Sequence, residues 1–311
     1  MNEKVKLITG NSNHPLARKI SDYLSIPLCD AEISRFSDGE ISVKINENIR
    51  GTDVFIIQST NPPAENLLEL LVITDAAKRA SAERITVVIP YYGYARQDRK
   101  DQPRVPITSK LVANLITVSG PNRVLTMDLH AAQIQGFFDI PMDHLFSNPV
   151  FYDYFADFKS DDWVVVADLG SIKMVRNFAK KLSMPFAVLD KKRHVANQVE
   201  ILNVIGEVEG KNIIIRDDIV DTAGTLTQAA DFLTKQGARE IYAGCTHPVL
   251  SGRSLGLIEK SPIKKVVVSD TIDVENKKLS SKYEITSVGK IFGEAIKRIH
   301  EGESVSSLFE Y

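Results

Sequence analysis

Only two cysteines, Cys29 and Cys245, occur in 311 residues, far apart and outside any CxxC or HxxxH spacing. A disulfide framework and a structural zinc site therefore both lack their sequence signatures. Excess charge is missing too: 38 Lys and Arg stand against 40 Asp and Glu, a formal charge of -2. Coating nucleic acid needs a basic excess to neutralise phosphates, so no nucleic-acid partner is expected. No apolar run nears the roughly 18 residues of a membrane span, and no membrane partner is expected either. The opening MNEKVKLITG passes into a strand-like run without a long apolar region. A signal peptide is not expected, and a reducing cytoplasm is the simplest compartment. The GxxxxGK loop is absent as well, which removes one way of cradling a triphosphate and leaves others open.

What is present is an ordinary globular composition, 43% apolar and 25% charged. At about 150 residues per domain the length predicts roughly two domains. Short apolar runs alternate with helical periods: Val5 to Ile8, Val54 to Ile57, Thr86 to Ile89 and Val124 to Thr126 read as strands. Between them, Leu16, Ile20 and Leu24 share a helix face, Leu68, Leu71, Val72 and Ala76 form a stripe over 65–80, and 110–118 is helical. The second half repeats the rhythm. Runs at 164–166, 213–215, 241–243 and 266–268 alternate with helices bearing Val175, Phe178, Ala179 and Leu182, then Leu226, Ala229, Ala230 and Leu233. This pattern predicts an α/β fold with largely parallel sheets flanked by helices. Few strand signals occur over 147–162, which places a boundary near 147: domains 1–146 and 147–311.

The sharpest local signal is Ile213-Ile214-Ile215-Arg216-Asp217-Asp218-Ile219-Val220-Asp221-Thr222-Ala223-Gly224-Thr225. Two adjacent acids stand where an apolar strand ends, the edge at which open α/β sheets place ligands. The Thr/Gly segment then opens a helix, and free N–H groups at a helix start are suited to phosphate. Nearby carboxylates accept hydrogen bonds from vicinal sugar hydroxyls. A helix merely capped by Asp221 or Thr222 is the plainer alternative.

This motif resembles the ribose 5-phosphate-binding motif of phosphoribosyl diphosphate chemistry, and nearly the whole chain resembles the ribose-phosphate diphosphokinase family. The resemblance runs through Arg35-Phe36-Ser37-Asp38-Gly39-Glu40, through Tyr91 to Lys100, and through Met127-Asp128-Leu129-His130 to Phe138. It continues in Thr246-His247-Pro248, Ser251-Gly252 and the tail from Glu303 to Phe309. It implies two similar phosphoribosyltransferase-like domains and transfer of the β,γ-diphosphoryl group of ATP to O1 of ribose 5-phosphate. It also implies a magnesium requirement, a dimer-based hexamer, and a tail that packs back on the first domain.

By the same resemblance, Arg96, Gln97 and Asp101 are ATP-site residues. Phe36, Asp38 and Glu40 complete that site across a subunit interface, with Phe36 stacking on adenine. His130 and Asp168 resemble magnesium ligands, although Mg2+ ordinarily prefers oxygen. Lys191 and Arg193 resemble the catalytic cations of a mobile loop. Asp217, Asp218, Asp221, Thr222, Ala223, Gly224 and Thr225 would hold ribose 5-phosphate, and Asp168, Leu169, Gly170 and Ser171 the diphosphate. Arg50, Ser81, Ser304, Ser306 and Ser307 resemble parts of a site for a phosphate or ADP effector.

The chain departs from the family pattern in three places. Ala167 stands where relatives have Pro, Ser171 where they have the second Gly of a pair, and Arg216 where an apolar residue usually precedes the acids. Arg216 is expected to snorkel out at the strand end, to pair with a nearby acid, or to sit in a subunit contact. Ala167 and Ser171 keep open a catalytically weak member acting as a structural or regulatory partner. A phosphoribosyltransferase is a further alternative from the sugar-phosphate motif alone.

Overall fold

The computed structural model describes residues 4–158, 162–168, 172–195 and 198–308. In chain order the elements begin with β1 (Val5–Thr9), α1 (His14–Leu24), β2 (Ala31–Arg35), β3 (Ile41–Ile45), β4 (Asp53–Ile57), α2 (Glu65–Arg79) and β5 (Arg84–Ile89). There follow α3 (Thr108–Ser119), β6 (Arg123–Met127), β7 (Met142–Leu145), α4 (Asn148–Phe155), β8 (Trp163–Asp168), α5 (Ile172–Lys181), β9 (Phe186–Val195) and β10 (Gln198–Ile205). The series ends with β11 (Asn212–Val220), α6 (Gly224–Lys235), β12 (Ile241–Pro248), α7 (Ser254–Lys260), β13 (Ile263–Ser269), β14 (Tyr283–Thr286) and α8 (Gly289–Glu301).

These elements form two units. The first contains described residues 4–146, 271–273 and 287–308; the second contains those of 147–270 and 274–286. The first unit has a parallel sheet in the order β1-β4-β5-β6-β7 and a separate antiparallel hairpin, β2–β3. Its interior strand β4 is buried at all five positions, the mark of a parallel strand covered on both faces. Asn13 caps α1 by accepting the Leu16 N–H at 3.2 Å, and Leu16, Ala17, Ile20 and Leu24 fill the core. The late helix α8 joins this unit, and its Glu294 accepts the Tyr23 hydroxyl of α1 at 2.9 Å.

In the second unit seven strands run β10-β9-β8-β11-β12-β13-β14, parallel except for the β9–β10 pair. One face packs on α6 through Leu226, Ala229, Ala230 and Leu233; the other carries Phe151, Phe155, Val175 and Phe178.

Several sequence expectations need correction. In α2 the buried residues are Glu69, Leu70, Ile73, Thr74 and Ala77, while Leu68 is half-exposed. That helix is apolar over much of its girth, so periodicity alone selected the wrong stripe. The hairpin β2–β3 and the helix α4, which fills 148–155, were not anticipated. The strands β11 and β12 reach Val220 and Pro248, well past their apolar runs.

Candidate active site

In the first unit the candidate nucleotide residues follow the C-terminal ends of β5 and β6. The chain leaves β5 through Tyr91-Tyr92-Gly93-Tyr94-Ala95, of which all but Tyr94 are buried. The Tyr92 hydroxyl donates to the Ser109 carbonyl at 2.8 Å, and its ring meets Phe138 edge-on at 5.8 Å. Burial pushes this phenol well above its ordinary range. Gly93 passes so close to β4's exit that a Cβ there would lie 2.1 Å from the Thr60 carbonyl oxygen. Only glycine permits that approach.

This anchor leaves Arg96, Gln97 and Asp101 exposed. The Gln97 side chain accepts the Thr108 hydroxyl at 2.5 Å and its carbonyl accepts the Ser109 N–H at 3.1 Å, fixing the segment to the start of α3. Gln133 donates to Asp98 at 3.0 Å, which ties this segment to the short 3-10 turn that follows His130. His130 is exposed just beyond β6; two residues earlier Asp128 has φ +37° and donates its N–H to Leu145. Among the described residues no group of three or more His, Cys, Asp or Glu is disposed to hold a metal ion. A single exposed imidazole fits a hydrated ion carried largely by substrate phosphates better than a protein cage.

Phe36, Asp38 and Glu40 occupy the tip of the β2–β3 hairpin. The tip is closed by Phe36 N–H to Glu40 carbonyl, 2.8 Å, and by Glu40 N–H to the Asp38 carboxylate, 3.0 Å. The Phe36 ring is 58% exposed at this tip.

In the second unit Asp217 and Asp218 are strand residues, and β11 continues past the apolar run at which the strand was expected to end. Asp217 lies opposite Cys245 of β12, and pairing continues to Val220 opposite Pro248. The register between β11 and β8 runs only from Asn212 to Ile215, so both acids lie beyond it, half-buried. The Asp217 carboxylate accepts the Asp218 N–H at 2.9 Å. Asp221 accepts the Ser251 hydroxyl, and its carbonyl accepts the Ser251 N–H at 3.0 Å. Ala223, at φ +62°, turns the chain into α6. The first turn of α6 has neither a side-chain cap nor an acidic residue, so Gly224 and Thr225 present N–H groups at the positive end of the helix dipole. Acceptors for hydroxyls thus sit a few residues from donors for phosphate.

Lys191 and Arg193 also need correction: their backbone is strand rather than loop, opposite Ile201 and Val199 of β10. Asp168 ends β8 opposite Leu189, whereas Leu169, Gly170 and Ser171 lie outside the described residues. Ala167 is an ordinary buried strand residue opposite Val188.

The candidate effector residues lie at the other edge of the first sheet, where β4 and β5 begin. The Ser81 carbonyl accepts the Gly51 N–H at 2.9 Å, next to Arg50. There Asp53 accepts Arg84 Nε at 2.9 Å and pairs with His300 Nδ1 at 2.9 Å, while Arg84 also reaches the Ile299 carbonyl. Arg298 holds the tail through the Ser304 carbonyl at 3.1 Å and the Ser307 hydroxyl, and Ser304 and Ser306 bond each other.

Sequence reasoning missed one buried polar lattice. Glu69 accepts from Asn11 N–H at 2.6 Å and Gln58 Nε2 at 2.8 Å, and Gln58 accepts the Ser12 hydroxyl at 2.7 Å. It fixes the loops leaving β1 and β4. Its signal was available: a lone acid among Leu67, Leu68, Leu70 and Leu71.

Parallel strands flanked by helices, with an acid pair near the end of β11 and an uncapped helix just beyond it, make an α/β fold. Residues 5–120 match the N-terminal domain of ribose phosphate pyrophosphokinase, and residues 190–310 match the phosphoribosyl synthetase-associated domain. The ribose-phosphate pyrophosphokinase of Chlorobaculum tepidum is 55% identical over 312 residues, covering 100% of this chain and 96% of its own. That of Caldanaerobacter subterraneus subsp. tengcongensis is 56% identical over 308 residues, 98% of each chain. The crystal structure of phosphoribosylpyrophosphate synthetase from Mycobacterium smegmatis superposes with a TM-score of 0.89 at 34% identity, over 96% of this chain and 100% of that one. The chain belongs to the ribose-phosphate pyrophosphokinase family and is an enzyme, a transferase of nucleotide biosynthesis.

Proposed function

We propose that this enzyme transfers the β,γ-diphosphoryl group of ATP to O1 of ribose 5-phosphate, giving 5-phospho-α-D-ribose 1-diphosphate and AMP. The observation that carries the reading is the half-buried acid pair at the end of β11, followed at once by the uncapped start of α6. Asp217 and Asp218 accept the ribose hydroxyls, while Thr222 to Thr225 receive the 5-phosphate. O1 attacks the β phosphorus, the bond from that phosphorus to the α-phosphate oxygen breaks, AMP leaves, and the O1 proton passes to water.

Arg96, Gln97 and Asp101 hold the nucleotide. The exposed Phe36 supplies a stacking face for adenine and, with Asp38 and Glu40, does so across an interface with a second copy of the chain. Asp168 with Leu169, Gly170 and Ser171 receives the diphosphate. Lys191 and Arg193 act on the charge that spreads over the phosphoryl oxygens, stabilising the transition state more than the ground state. Magnesium, with His130 and Asp168 as its protein contacts, would neutralise triphosphate charge.

A homo-oligomer, as in a dimer-based hexamer, is supported by Leu68 on α2 and by Leu111, Leu115 and Val118 on α3, all exposed. Arg50, Ser81 and the Ser304 to Ser307 tail form the surface we assign to a phosphate or ADP effector. The cytoplasm supplies these substrates. No helix among the described residues is long and apolar enough to cross a membrane.

The test is chromatography of the products after incubation with magnesium, ATP and ribose 5-phosphate. AMP and phosphoribosyl diphosphate should appear in equal amounts. ATP binding with neither product, across a range of phosphate and magnesium concentrations, would replace this reading with that of an inactive partner.

A further inference from the structure

Both units bury charged side chains. Arg216, 1% exposed, is the largest fully buried side chain among the described residues, which corrects the expectation that it snorkels out to solvent. Its guanidinium donates to the Ser147 hydroxyl at 2.8 Å, the Thr246 hydroxyl at 3.0 Å and the Gly244 carbonyl at 3.2 Å. In the first unit Glu69, on α2, is 5% exposed, and its carboxylate takes three donors. Oε1 accepts the Asn11 N–H at 2.6 Å and Gln58 Nε2 at 2.8 Å, and Oε2 accepts Asn11 Nδ2 at 2.9 Å. An ionised carboxylate accepts at both oxygens, which this arrangement requires. The buried Gln58 is turned to match: its nitrogen also donates to the Asn66 carbonyl at 3.1 Å, while its oxygen accepts the Ser12 N–H at 3.1 Å and the Ser12 hydroxyl at 2.7 Å. The chain enters this lattice through Gly10, where a Cβ would lie 2.3 Å from Gln58 Oε1 and 2.8 Å from Glu69 Oε1.

The lattice reaches one residue further. Asn11 Nδ2 gives its other hydrogen to the Ile33 carbonyl on β2 at 3.1 Å. One amide nitrogen thus joins Glu69 to the β2–β3 hairpin. Ala31, Ile33, Val43 and Ile45 pack the hairpin against the core. Apolar packing has no direction, so it resists lifting better than sliding. The bond from Asn11 does have a direction, and it acts three residues before Phe36.

We propose that Glu69 is a positioning residue of the nucleotide site: through Asn11 it holds the Ile33 carbonyl, and so sets the hairpin whose tip presents Phe36. This rests on the assignment of Phe36 to the adenine stack. A hairpin released from this bond spends part of its time out of place, and its apparent affinity for a nucleotide falls by that fraction. A glutamine amide in place of Glu69 has one acceptor for donors on two sides. Turned one way it sets its NH2 against Asn11 Nδ2; turned the other, against the Asn11 N–H and Gln58 Nε2. Either way a bond that orients Asn11 is lost.

The test measures KM for ATP and for ribose 5-phosphate, by product assay on the full chain, in Glu69→Gln, Phe36→Ala and the double variant, with calorimetric unfolding alongside. Glu69→Gln should raise KM for ATP roughly fivefold, the worth of one hydrogen bond, and leave KM for ribose 5-phosphate within about twofold. On the Phe36→Ala background the same change should move KM for ATP by less than about twofold, since no ring is left to place. A purely structural role would lower the unfolding temperature and move both KM values or neither. Should Glu69→Gln fail to fold, Asn11→Ala, at an exposed position, takes its place in the same cycle. An unchanged KM for ATP, or a rise that persists in full without the ring, overturns the proposal. If Phe36→Ala itself leaves KM for ATP unmoved, the stacking assignment falls and this inference with it. If Phe36→Ala raises it and Glu69→Gln does not, the inference about Glu69 alone falls.

Discussion

The two candidate substrate sites are built on different principles. In the second unit the proposed binding groups join the Asp217 and Asp218 carboxylates to backbone: a strand end, a left-handed Ala223, and the N–H groups that open α6. In the first unit they are exposed side chains on a loop and a hairpin tip, held from below by the buried Tyr92, Gly93 and Ala95. A backbone cradle is rigid before its ligand arrives and forfeits little ordering entropy on binding. On the proposed reading, the exposed Phe36 would lose side-chain freedom in closing on a nucleotide. On the proposed reading, the second unit's site is set largely by the fold, and the first unit's by side chains that the fold presents.

The sharpest test of the contrast is at Lys191, on β9. Lys191→Ala should lower kcat by roughly 10²–10³-fold, as for loss of one donor to developing charge, with both KM values within a few-fold. A matching rise in KM with kcat intact would make Lys191 a binding residue instead. The next largest effect falls on the first unit's anchor. Gly93→Ala forces a methyl against the Thr60 carbonyl and should destabilise the fold by about 1–3 kcal/mol or more. Calorimetric unfolding checks this, and unchanged stability would mean the Thr60 loop yields at no cost. The parallel change at Gly224, where a Cβ would meet nothing nearer than the Thr222 hydroxyl at 3.9 Å, should leave the fold intact.

How much of this was legible beforehand follows from the same contrast. The strand–acid–glycine–helix order at 213–225 carries its own chemistry, and the strand and helix it predicted are there. Its error was the end of the strand: a run of polar residues looks like a loop, but pairing with β12 holds Asp217 to Val220 extended. The loop expected at Lys191 and Arg193 failed the same way, because charge says nothing about a partner strand six or more residues downstream. The α2 stripe failed for the opposite reason, since too many apolar residues gave every face a claim. Arg216 was visible as an anomaly, yet its burial depends on Gly244, Phe151, Ser147 and Thr246, which lie 28 to 69 positions away in sequence. Local pattern does not reach contacts of that separation.

Phe36 tests the claim that the first unit works through presented side chains. Phe36→Ala should raise KM for ATP about tenfold, the rough worth of one base–aromatic stack, and leave ribose 5-phosphate binding unaltered. An equal loss for both ligands would mean that the hairpin serves the whole enzyme.

The smallest expected effect uses the two cysteines as reporters, one in each unit. Burial, helped by Glu47 and opposed by Lys6, pushes the half-buried Cys29 thiol up to about 11. Because the folded value lies above the unfolded one, near 8.5, the neutral thiol stabilises the fold fully below that unfolded value. That contribution fades as pH rises toward 11. Alkylation of Cys29 by iodoacetamide, followed by peptide mass spectrometry, should therefore climb with a midpoint near the raised value, and Glu47→Gln should move it down. Cys245, buried on β12 opposite Asp217, should stay unreacted while the protein is folded. A Cys29 midpoint near 8.5 would show that Leu7–Leu28 and Glu47 leave this corner of the first unit open to water, and that the second unit alone is rigid around its thiol.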